Sequence, residues 1–208
     1  ENGLPMHGLM WPHLSWEVTD ISDSMLSARL NWSNPQGLAV FPYPCLLSMN
    51  ASIEPGSLTI ETSLLATSDI DVPLSFGFHP YFGFDGDRAD WHIRLPQMRH
   101  LTLDARQIPT GASIPFPGLD GLLGTRSFDD GFALLEPRAT LSIGYGGHQI
   151  SVDLLAGYTH TQVYAPHDQN FIAFEPMTAP ANALISGDGL RLVPSGDTFG
   201  AKFRIRID

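Results

Sequence analysis

The sequence is short of several things. It has one cysteine, Cys45, so no intrachain disulfide can form, and such a chain is compatible with a reducing cytosol. Charged residues make up only 16 % of it, against roughly 25 % in ordinary globular proteins. Acidic residues outnumber basic ones 22 to 11, and the resulting net charge of −11 argues against nucleic acid or an anionic membrane surface as a partner. No apolar run approaches the ~18 residues that would span a bilayer. The opening Glu-Asn-Gly-Leu-Pro-Met-His-Gly has no basic stretch leading into an apolar one, so no signal peptide is read and a soluble, cytoplasmic setting is expected. No two histidines stand four apart, and no glycine-rich loop or Gly-x-Ser-x-Gly elbow occurs, so neither a metal nor a cofactor is expected. An apolar stripe at helical spacing is missing too.

Glycine (20) and proline (17) are plentiful, which suits many short strands joined by turns. Leu26, Ala28, Leu30 and Trp32 alternate with polar residues, the period of a half-buried strand. Asn34-Pro35-Gln36-Gly37 reads as a turn, and Phe41 to Met49, with two prolines, as an edge or irregular strand. Leu58 to Leu65 alternates again after the turn Glu54-Pro55-Gly56-Ser57. Ile108 to Gly124, rich in proline and glycine, reads as a long loop. Leu141, Ile143 and Tyr145 lead into Gly146-Gly147, and Ile150, Val152 and Leu154 lead away, a two-residue hairpin. Phe203, Ile205 and Ile207 form a closing strand. The expectation is one all-β domain over residues 1–208, an antiparallel sandwich.

Four places could carry chemistry. Ser75 to Phe82 packs four aromatics around His79, an aromatic floor with one titratable imidazole that suits a sugar ring; the plainer reading makes Phe76, Phe78 and Phe82 core residues. Glu175 follows an apolar run and precedes Pro176, where partial desolvation would raise its pKa toward that of a general base. Asp129 and Asp130 are adjacent, so on a strand only one can enter a given pocket. The fourth place is Leu4-Pro5-Met6-His7-Gly8, followed by Trp11 and Trp16. One histidine paired with one glutamate suits moving protons between two oxygens.

Together these places resemble the aldose 1-epimerase (galactose mutarotase) family. The carrying segments are Leu-Pro-Met-His7-Gly, Phe-His79-Pro-Tyr-Phe, Phe-Asp129-Asp-Gly-Phe, Val-Tyr164-Ala-Pro and Phe-Glu175-Pro-Met-Thr-Ala-Pro-Ala-Asn-Ala, with Gly187 to Asp197 matching the closing segment. The resemblance implies an antiparallel β-supersandwich and cofactor-free interconversion of the α and β anomers of a free hexose, a small-molecule sugar substrate. It implies Glu175 as general base and His79 as general acid, with His7 and Asp129 holding sugar hydroxyls. Tyr81, Trp11 and Tyr164 are further pocket candidates. The family usually carries several strands and a sugar-binding arginine ahead of the position matching His7. This chain begins at Glu1: if the protein is longer, those strands and that arginine lie ahead of Glu1, and if the chain is complete as written, the sandwich is short at its N-terminus with an exposed sheet edge. Two alternatives share the scaffold: a hexose-6-phosphate 1-epimerase, which the acidic charge disfavours, and a non-catalytic carbohydrate-binding module.

Overall fold

A computed structural model describes residues 14–208. Two antiparallel sheets carry most of the chain. The larger runs, in spatial order, β1 (Glu17–Ile21), β2 (Met25–Trp32), β3 (Cys45–Glu54), β4 (Ser57–Ala66), β17 (Thr198–Ile207), β13 (His148–Ala156), β12 (Ala139–Tyr145), β7 (His92–Leu95) and β10 (Leu119–Leu122). The smaller runs β6 (Tyr81–Phe82), β15 (Ile172–Met177), β14 (His160–Ala165), β11 (Phe128–Leu134), β8 (Met98–Leu103) and β9 (Pro109–Phe116). A separate pair joins β5 (Val72–Leu74) to β16 (Arg191–Val193). The short helices α1 (Pro35–Val40) and α2 (Ala183–Ser186) are minor connections.

Period-two patterning explains the layers. Across β3 and β4, Leu47 faces Leu64 and Ala51 faces Ile60 on one side of the sheet, while Ser48 faces Ser63 and Asn50 faces Glu61 on the other. The apolar sides enclose a core that includes Trp32, Trp91, Phe132, Phe174, Phe203, Leu141 and Ile143, all fully buried. Each such side chain contributes about 1.5–3 kcal/mol on removal from water. The Gly146-Gly147 hairpin forms as its sequence demands. Both glycines have φ near +60 to +86°, and Tyr145 pairs with His148 across them.

Three local expectations need correction. Residues 108–124 are largely strand rather than loop: among the described residues β9 pairs only with β8 and β10 only with β7, and edge strands tolerate the prolines and glycines that suggested a loop. The apolar segment after Phe41 becomes β3, an interior strand between β2 and β4, because its prolines, Pro42 and Pro44, fall before the strand starts. Asn34-Pro35 opens a helical turn, with the Asn34 side chain accepting from the Gly37 N–H and proline at the first helical position.

Candidate active site

The site lies on the face of the six-stranded sheet opposite the core. Along β15, Ile172 and Phe174 point inward and are fully buried, so Ala173 and Glu175 point the other way. Register then decides the neighbours. Gln162 of β14 stands opposite Glu175, and Tyr164 stands opposite Ala173. Asp129 of β11 stands opposite Tyr164, and Tyr81 of β6 opposite Ala173. Glu175, Gln162, Tyr164, Asp129 and Tyr81 therefore share one face. Asp130 turns to the other face, where its carboxylate meets His100 Nε2 at 2.7 Å.

His79 reaches this face through an irregular segment laid along the edge of β15. The Phe78 N–H donates to the Pro176 carbonyl at 3.0 Å. The Thr178 hydroxyl accepts from the Phe76 N–H and donates to the Phe76 carbonyl, at 2.9 and 3.0 Å. Between them Gly77 bridges to Met177, so close that a Cβ there would sit 2.7 Å from the Pro176 oxygen. Glycine is what permits the approach.

The result is a tight cluster. His79 Nε2 lies 3.1 Å from Glu175 Oε1, with Glu175 14 % exposed. The Tyr81 hydroxyl lies 3.3 Å from the same nitrogen, and its ring stacks on the imidazole with centroids 4.5 Å apart. Tyr164 meets the imidazole edge-on, and Phe171 joins both tyrosines to make an aromatic wall. Asp129 accepts from Gln162 Nε2 at 2.8 Å. Burial pushes the Glu175 carboxyl up to about 7, and the negative charge of Asp129 adds to that push. An imidazolium at His79 would pull the other way, so the proton on Glu175 is tied to the charge of its neighbour.

The aromatic floor expected from residues 75–82 is not what faces the site. Phe76 and Phe78 pack inward against Tyr158, Phe199 and Phe203, and Phe82 lies beside Phe174; the site's aromatics are Tyr81, Tyr164 and Phe171. A proline break and a glycine bridge make the segment irregular, so simple alternation misassigns its faces. Sequence reading missed Gln162 and Phe171. The two-residue spacing of Gln162 from Tyr164 on one strand was the available signal for the first, and none pointed to the second. His7 and Trp11 lie outside the described residues. Among the described residues no cluster of His, Cys, Asp or Glu is arranged to hold a metal ion.

The aldose 1-epimerase family profile matches residues 1–206, nearly the whole chain. The chain belongs to the aldose 1-epimerase family. A curated relative, the uncharacterised protein YihR of Escherichia coli K12, is 24 % identical over 96 % of this chain and 67 % of its own length. The fold matches the Slr1438 protein of Synechocystis sp. PCC 6803 at 26 % identity and TM-score 0.78, covering 96 % of this chain and 68 % of that one. It also matches a galactose mutarotase related enzyme from Lactobacillus acidophilus at 15 % identity and TM-score 0.80, covering 96 % and 73 %. The chain thus spans about two thirds to three quarters of the length of these proteins. Family membership implies a sugar substrate and an isomerase chemistry, and no helix among the described residues is long and apolar enough to cross a membrane.

Proposed function

We propose that the chain interconverts the α and β anomers of a free hexose of the glucose or galactose type, with Glu175 as general base and His79 as general acid. The observation that carries this reading is the 3.1 Å approach of one imidazole nitrogen to one carboxylate oxygen on an open, aromatic-lined face. In a cyclic aldose the anomeric hydroxyl and the ring oxygen are both bonded to C1. The group that deprotonates one and the group that protonates the other must therefore be close neighbours. Ionised Glu175 takes the proton of the C1 hydroxyl while His79 delivers a proton to the ring oxygen. The C1–ring-oxygen bond breaks and a carbonyl forms at C1. Rotation about C1–C2 presents the other face, and closure with the two roles reversed gives the second anomer.

A carboxyl held near 7 is well matched to a base that must gain and release a proton at neutral pH. Asp129, fixed by Gln162, and the wall of Tyr81, Tyr164 and Phe171 supply a hydroxyl acceptor and an apolar surface for the sugar's C–H face. Two carboxylates at one site repel a phosphoryl group, which favours an uncharged hexose over its 6-phosphate.

Polarimetry of freshly dissolved α-D-glucose and α-D-galactose tests this. Wild type should hasten mutarotation well beyond buffer, and Glu175→Gln should abolish the acceleration while still binding sugar. A wild-type protein that binds sugar without hastening mutarotation would sink the reading in favour of a binding module.

A further inference from the structure

Arg88 is among the few charged residues buried in this chain, 5 % exposed, and among the described residues it forms no ion pair. Its two terminal nitrogens donate to main-chain carbonyls, while its buried Nε has no partner among the described residues. Nη2 donates to the carbonyls of Arg126 (3.1 Å) and Ala165 (3.4 Å), and Nη1 donates to that of His167 (3.4 Å). Burial lowers its pKa, and Asp87 and Asp168 partly restore it from a distance. The residue opens a 3₁₀ turn, Arg88–Asp90, whose cap Asp87 accepts from the Ala89 N–H. The turn and the residue after it are bonded through their backbone to the segment that follows β10: Gly124 N–H donates to the Ala89 carbonyl and Leu123 N–H to that of Trp91.

The three carbonyls are informative by position. Arg126 precedes β11 by two residues, Ala165 ends β14, and His167 lies in the turn toward β15. Phe128 pairs with Ala165 at the end of the β11–β14 ladder, and the next pair is Asp129 with Tyr164. The guanidinium closes the ladder one step from Asp129 and Tyr164, which lie on the same sheet face as Glu175. The planar fork holds its donors on two nitrogens in a fixed geometry that suits carbonyls from separate segments, whereas an ammonium carries its three donors on one nitrogen.

We propose that Arg88 is a positioning residue for the sugar site, stapling the approach to β11 onto the end of β14 so that Asp129 and Tyr164 stand at fixed places beside Glu175. This rests on the epimerase reading above, and it adds a residue that neither touches the sugar nor faces the site. Asp129 bears on Glu175 through charge, so a displaced Asp129 is felt in the Glu175 titration as well as in sugar affinity. Among the described residues the other groups facing Glu175 are His79, with Tyr81 against its ring, and Gln162; Arg88 contacts none of them.

The test uses Arg88→Lys and Arg88→Gln in the full chain, with three readouts: near-UV circular dichroism for folding, kcat and KM by polarimetry, and Glu175 titration by carboxyl carbon NMR. Positioning predicts folded variants whose KM rises about tenfold with kcat little changed, the signature of lost substrate binding, and whose Glu175 titrates at lower pH than in wild type. Folded variants with wild-type KM and an unmoved Glu175 titration would overturn the proposal. Should neither variant fold, wild type still decides. Coupling is reciprocal, so galactose binding should slow hydrogen exchange of the Arg88 guanidinium, and unchanged exchange on saturation overturns it. If wild type neither binds nor turns over sugar, the epimerase reading fails separately, while the Glu175 titration alone decides whether Arg88 places Asp129.

Discussion

The two sheets each hold a largely buried carboxylate on the face turned away from the core, and the two carboxylates are treated in opposite ways. Asp153, on β13 of the large sheet, is 7 % exposed and surrounded by donors. Thr140 and Arg206 serve one oxygen, and Arg204 with Arg206 serves the other. Burial alone would raise its pKa, but these bonds and charges outweigh it and hold the carboxyl below its usual range. Glu175, on the small sheet, is also largely buried but among the described residues has no arginine partner; His79, Gln162 and, more distantly, Asp129 lie around it, and its pKa rises to about 7. A carboxylate compensated by fixed cations locks strands together and is useless as a base. One left with a titratable partner costs stability and can move a proton.

The largest effect expected from this contrast is on rate. Glu175→Gln should lower kcat by roughly 10²–10⁴-fold, the range for one lost proton transfer. At pH 8 it should melt no lower than wild type, because it removes a buried charge that folding disfavours. Polarimetry with a parallel thermal melt checks both. Asp153→Asn should do the reverse: it weakens an arginine-bound buried group at a cost of about 1–3 kcal/mol, visible as a lower melting temperature, with kcat/KM unchanged. Loss of activity in the folded Asp153→Asn protein would break the contrast.

Their pH dependences should oppose each other as well. Folding raises the Glu175 carboxyl from 4.5 to about 7, so between those values the folded chain holds a proton that the unfolded chain has released. The stability linked to Glu175, about 3 kcal/mol by the 1.36 kcal/mol per unit relation, is full below about pH 4.5 and is lost as pH rises to 7. Asp153, with its pKa depressed, contributes stability that is present above its ordinary 3.8 and is lost as pH falls. Melts of wild type against each variant between pH 3 and 8 should separate the two. The rate should rise through about pH 7 as Glu175 ionises. The smallest effect should come from Tyr81→Phe, which keeps the ring stacked on His79 and removes one hydroxyl contact. A net hydrogen bond of about 0.5–1.5 kcal/mol corresponds to a few-fold loss in kcat/KM.

Much of this molecule is legible in its sequence because alternation is local. The strands around Leu30, Leu64, Ile143 and Phe203 and the Gly146-Gly147 hairpin need only neighbouring residues to be read. Where long-range pairing decides, the sequence is silent. Edge position turns the proline-bearing stretch 109–116 into a strand, and nothing nearby announces an edge. The family resemblance picks Asp129 rather than Asp130, but that Gln162 holds Asp129 depends on the β11–β14 register. Arg88 has no signature in the sequence, since the carbonyls of residues 126, 165 and 167 leave no trace in the residues around it.

The attachment of the His79 segment sets a threshold lower than that of the protein as a whole. Among the described residues β6 has no neighbour on its outer side, and the run before it is tied to β15 by few backbone bonds and the Thr178 hydroxyl. Such a margin opens at a fraction of the free energy that unfolds the core. Fraying there parts His79 from Glu175 while both sheets remain intact. Warming should therefore silence catalysis before the molecule melts, and exchange at the Phe76 and Phe78 amides should quicken at the temperature where the rate begins to fail.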